Sequence, residues 1–170
     1  MNIDVFMNQF NKILPMAISN THHSGNVFIA LETDTISVLG CTVIDIPESQ
    51  SSQFIPDGCL RDICVILNPN VITNHAFNCR LLLPFVIANT LVHELKHVQQ
   101  FQDNPDLVRS DFGIEADIAT KGKLTFADIR LHDRLASEKD AKSTASHFVR
   151  HNFVSLLSIG FDSLKIKGRN

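Results

Sequence analysis

The chain has 170 residues, 44% of them hydrophobic and 19% charged, which suits one compact core and excludes disorder as the dominant state. Its formal net charge of −3 gives no basic field for nucleic acid, and the short tail Lys165, Lys167, Arg169 is the one basic cluster. No apolar run is long enough to span a bilayer, and Met1-Asn2-Ile3-Asp4 lacks the basic region of a signal peptide. The expectation is a cytoplasmic protein with a single domain over residues 1–170, without nucleic acid or membrane as partner, non-classical export being the remaining route outward. Cys41, Cys59, Cys64 and Cys79 match no C-x-x-C spacing, so they read as free thiols in a reducing compartment.

Ile3, Phe6, Met7, Phe10, Ile13 and Leu14 recur at helical spacing and predict an opening amphipathic helix that ends near Pro15 or Asn20. After a turn over 21–26, short β-branched segments at 27–32, 35–41 and 42–46 predict two or three strands, punctuated by Asp34 and Gly40. A polar loop over 47–57 leads to a further strand at 61–67, closed by Asn68-Pro69-Asn70. From residue 81 an apolar helix begins, with Pro84 in its first turn and Leu91, Leu95 and Val98 as a core-facing stripe. Asp103-Asn104-Pro105 ends it. A short helix over 113–121 and a long one over about 125–153 complete the expected order.

The chemistry sits inside the apolar helix, at His93-Glu94-Leu95-Lys96-His97. With 8 His and 5 Glu in the chain, an H-E-x-x-H run arises by chance about 0.01 times. On a helix, positions i and i+4 lie one above the other, so both imidazoles can face one ion while Glu94 stands beside them. That is the geometry of a zinc hydrolase: His93 and His97 as metal ligands, Glu94 as general base. Catalytic zinc takes three protein ligands and leaves a position open, so a third remains to be found.

Four carboxylates compete for that place. Asp103 stands six residues past His97, but the chain reversal it needs calls for a glycine where Gln100 stands. Glu115 is the second choice. Glu138 is preferred, because Glu138, Ala141 and Ala145 with Phe148 or Val149 form one face whose small residues let its helix approach the motif helix closely. Asp140 shares its face with Thr144, His147 and His151, a polar face that leaves it exposed or supporting a ligand. A second metal site at His147 and His151 lacks an acidic base, and His22, His23, His75 and His132 read as solvated or capping residues.

His93-Glu94-Leu95-Lys96-His97-Val98-Gln99-Gln100 followed by Glu138-Lys139-Asp140-Ala141 resembles the minimal zincin metallopeptidases of phage, plasmid and secretion-associated contexts, over about residues 60–155. The resemblance implies an α+β, zincin-like fold: a small antiparallel or mixed N-terminal sheet packed on the H-E-x-x-H helix and on a second ligand-bearing helix. It implies Zn2+ held by His93, His97 and Glu138, Glu94 as base, and a peptide or protein substrate. The chain departs from that pattern at Lys142, where an Asp often follows the Ala. Two other functions stay open: a catalytically inactive zincin scaffold serving binding or assembly, and a toxin or effector protease aimed at one target.

Overall fold

A computed structural model describes residues 3–21, 27–33, 38–43, 63–104, 111, 114 and 125–165. The order is α1 (Ile3–Asn20), β1 (Val27–Leu31), β2 (Gly40–Val43), β3 (Ile63–Leu67), α2 (Pro69–His75), α3 (Leu83–Asp103), α4 (Phe126–His132), α5 (Ala136–His151) and α6 (Phe153–Lys165). The architecture is α+β, mostly helical, with a three-stranded mixed sheet.

Helix α3 is the centre of it. Leu83, Ile87, Ala88, Leu91, Val92, Leu95 and Val98 are wholly buried, so apolar residues cover far more than one stripe, as a helix surrounded by other elements requires. Its neighbours are α1, α2, β2, β3, α5 and α6, of which α5 makes the most extensive contact. The small face expected on α5 carries that contact: Ala141 and Ala145 are fully buried, and Phe148 nearly so. Helix α1 seals the core with Phe6, Phe10, Ile13 and Ala17. It continues past Pro15 to Asn20.

In the sheet, β3 lies between β1, parallel to it, and β2, antiparallel, in the order β1-β3-β2. Where strands over 35–41 and 42–46 are expected, a single strand runs through their junction. Gly40 is thus the start of a strand rather than a break. The reason is proximity: a Cβ on Gly40 would lie 2.8 Å from Leu67 Cδ2 and 3.1 Å from both Glu94 Cγ and Thr90 Cγ2. The missing side chain lets β2 lie directly against the middle of α3.

Two other expectations are corrected. Asn68-Pro69-Asn70 does end β3, but it also starts α2: Asn68 Oδ1 accepts hydrogen bonds from the backbone N–H groups of Asn70 (2.9 Å) and Val71 (3.1 Å), with Pro69 in the first turn. That is a helix N-cap, satisfying donors that a helix start leaves unpaired. The long helix over 125–153 is two helices, because Leu135 turns to ψ 141° and buries its side chain. A third, α6, follows after Asn152 ends α5. The helix expected at 113–121 lies almost entirely outside the described residues.

Gly40→Val should force β2 off α3 and cost about 1–3 kcal/mol, as overpacked cores do. Urea denaturation should show a lower midpoint at unchanged slope.

Candidate metal centre

His93 and His97 stand one turn apart on α3, their rings edge to face at 84° with centroids 4.7 Å apart. Their Nε2 atoms are 3.1 Å from each other. Across the α3–α5 contact, Glu138 Oε1 lies 3.0 Å from His97 Nε2 and 3.5 Å from His93 Nε2. An ion at 2.0–2.1 Å from tetrahedrally disposed donors holds them about 3.3 Å apart, and the three separations bracket that value. The group His93, His97, Glu138 can hold a metal ion.

The hydrogen bonds around it fix what these atoms present. Gln100 Nε2 donates to Ser137 O and to Asp140 Oδ2, both at 2.9 Å, so the other end of that amide, Oε1, is an acceptor. Oε1 lies 2.9 Å from His97 Nδ1, which must therefore carry the proton and donate. In the neutral ring, His97 Nε2 is then left with a lone pair that faces His93 Nε2 and Glu138 Oε1. Such a carbonyl partner behind a ligating imidazole fixes its tautomer and its orientation.

Helix α5 is secured so that its first turn delivers Glu138. No side chain caps it locally, and buried Asp111 does so from a distance, Oδ2 accepting from Ser137 N at 3.1 Å and from Ser137 Oγ at 2.6 Å. Ser137 is thus tied on one side by Asp111 and on the other by Gln100. Lys142 ion-pairs with Asp133 and stands 3.4 Å from Glu138 Oε2. The departure from the zincin-like pattern at Lys142 therefore places a cation on the outer oxygen while Oε1 faces the histidines.

The charges respond to this enclosure. Burial works against the ionised Glu138, yet hydrogen bonds and charges from His93 and His97 outweigh it and hold its carboxyl well below the usual carboxylate range. Burial also opposes the protonated His97 ring, but the Glu138 hydrogen bond, the charges of Glu94 and Glu138, and Gln100 together raise its pKa. Both shifts favour positive charge among these three side chains. Glu94 is pushed the other way, its pKa raised by burial against the lowering influence of His93, His97 and Thr42. Thr42 of β2 donates to Glu94 Oε2 at 2.8 Å and lies 3.0 Å from Glu94 O, which holds that carboxylate toward the sheet.

The competing carboxylates fall away for distinct reasons. Asp103 is still on α3, about 9 Å along the axis from His97, and exposed. Asp140 is exposed too, but it supports the site by accepting from Gln100 and pairing with Lys96 at 3.3 Å. Glu115, with His22 and His23, lies outside the described residues. His147 and His151 stack at 6.3 Å on the exposed face of α5, and His75 is exposed in the last turn of α2. His132, read as solvated or capping, instead brings Nε2 to 3.7 Å from Glu138 Oε1 while its side chain stays 39% exposed, at the edge of the group.

Three participants went unread in the sequence: Thr42, Ser137 and Asp111. Each acts through a contact 26 to 52 positions distant, and no local spacing announces it. Gln100 was legible as part of the motif, although its task was not. Comparison with protein-family models, curated proteins and solved structures finds no match.

The purified protein should bind one equivalent of zinc or cobalt, and Glu138→Ala should remove most of that affinity. Gln100→Leu should weaken it about 10- to 100-fold, the usual cost of losing a ligand's supporting partner. Asp140→Ala should cost less, since Gln100 keeps Ser137 O, and Asp103→Ala nothing. Competition titration against a chromogenic chelator measures all four. Burial, with the nearby Glu94 and Cys64, pushes the Cys41 thiol up to about 11 from 9.0. At pH 8 its thiolate is then about a hundredfold scarcer, so iodoacetamide should label Cys41 far more slowly than an ordinary cysteine, as peptide mapping would reveal.

Proposed function

We propose that the chain is a zinc-dependent peptide hydrolase of the minimal zincin kind. The observation that carries this reading is the convergence of three potential ligand atoms, on His93, His97 and Glu138, beside a buried carboxylate at Glu94. Two histidines and a carboxylate from two packed helices are a donor set suited to zinc and leave one position open. An ion held there supplies Lewis acidity, polarising a carbonyl oxygen and making a water more acidic. Glu94 then does the proton work: it takes a proton from the attacking water and returns it to the leaving amine. Its raised pKa suits that exchange, because a carboxylate nearer neutrality is a better base. Thr42 fixes one oxygen, so the other is the one that moves the proton.

A peptide substrate is supported by the position of β2. Among the described residues it has β3 on one side only, and Gly40 and Thr42 set it against Glu94. An extended peptide adding to such an edge would satisfy its backbone groups there and carry a carbonyl to Glu94. A reducing compartment fits the free thiols of Cys41 and Cys79. Among the described residues no helix is long and apolar enough to cross a membrane.

Glu94→Gln should keep stoichiometric zinc and lower kcat by about 10²–10⁴. Elemental analysis and mass-spectrometric profiling of a peptide library check the two halves together. Protein that takes up no zinc when it is offered, or a Glu94→Gln variant that cleaves as well as the parent, ends the hydrolase reading. The first outcome would favour a binding or assembly module.

A further inference from the structure

Helix α4 carries two opposed faces. Asp128 and His132 lie on one, at i and i+4: Asp128 is buried and accepts from Thr125, and His132 approaches Glu138. Phe126, Ala127, Arg130, Leu131 and, just beyond the helix, Arg134 lie on the other, around a cavity of about 610 Å³. Phe126 is 87% exposed and Leu131 45%. Large apolar side chains left open together mark a surface built for contact.

The charge there runs against that of the whole chain. The protein is net acidic, yet this face holds two guanidinium groups, and neither makes an ion pair with a described residue. The carboxylates on and just after this helix are engaged elsewhere, Asp128 with Thr125 and Asp133 with Lys142. Arginine's planar fork suits a carboxylate held in two-point contact. What is absent from the face, and complementary to it, is an apolar side chain beside a negative one.

We propose that this face of α4 is a recognition subsite for a peptide segment pairing an apolar side chain with a neighbouring carboxylate. The apolar group lies between Phe126 and Leu131, and the carboxylate meets Arg130 and Arg134. The subsite lies on the far face of α4 from His132, whose Nε2 approaches Glu138, so a peptide that reaches both it and the metal centre passes around that helix. A peptide cleaved at the metal centre therefore carries the acidic and apolar pair several residues from the broken bond. That spacing rests on the hydrolase reading; the binding chemistry of the face does not.

Short fluorescein-labelled peptides carrying a Phe-Glu, a Phe-Lys or a Ser-Glu pair separate the two. Anisotropy with the zinc-loaded Glu94→Gln protein should show Phe-Glu bound roughly tenfold more tightly than Phe-Lys, the effect of two modest ion pairs. The double variant Arg130→Glu, Arg134→Glu should reverse that order, and Phe126→Ser should erase the advantage of Phe-Glu over Ser-Glu. All three substituted side chains are exposed or line the open cavity, so circular dichroism should stay native. Equal affinity for the charge-swapped peptides, an order unmoved by charge reversal, or no binding of any peptide overturns the subsite. Discrimination in binding, together with a Glu94→Gln variant that cleaves as well as the parent, keeps the subsite and ends the hydrolase reading. Cleavage indifferent to acidic residues near the broken bond does the opposite.

Discussion

Three potential ligand atoms brought to one place are the constraint on which this structure turns. His93 Nε2, His97 Nε2 and Glu138 Oε1 stand 3.0–3.5 Å apart, and the Gln100 amide directs the single proton of a neutral His97 ring to Nδ1, away from the other two. Acceptors so close repel unless something positive lies among them. A proton can serve one pair at a time, whereas a metal ion can satisfy all three. The raised pKa of His97 and the depressed one of Glu138 are the same demand expressed as proton affinity.

The remainder of the fold keeps these atoms from moving apart. Two of the donors are on one helix and are held by its regular geometry, so the tolerance lies in where α5 sits. That position is set by complementary means: Ala141 and Ala145 allow close approach, and Ser137 is bound to Gln100 of α3 and to Asp111. On the opposite flank of α3, Gly40 admits β2 and Thr42 reaches Glu94. The proposed base and the proposed ligands thus have separate supports, one from the sheet and one from the helix pair, so each can be altered without removing the other.

The helical half of the architecture was legible because burial leaves a periodic trace. The stripe Leu91, Leu95, Val98 and the face Glu138, Ala141, Ala145, Phe148 are read from spacing alone, and both are buried. That same face singled out Glu138 among four carboxylates. Asn68 shows the limit of such reading, since a residue that stops a strand and one that caps a helix look alike until the next turn forms. Leu135 shows another: an apolar residue in helical phase continues the pattern, while its burial depends on tertiary neighbours that end the helix there. Thr42, Ser137 and Asp111 are polar residues with distant partners, and their chemistry has no period.

Glu138 stands 41 positions beyond His97, so an ion held by both is a cross-link as well as a cofactor. The two histidines come together whenever α3 forms, but the third donor arrives only after α5 has docked. Metal bound in that way favours the native chain over every looser one by an amount that grows with free ion concentration, just as any ligand exclusive to the folded state does. The chain would then gain rigidity and chemistry in one event. On the proposed zinc-hydrolase reading, scarcity of the ion would leave the chain at once less active and more easily degraded, so that its abundance would follow the supply of metal.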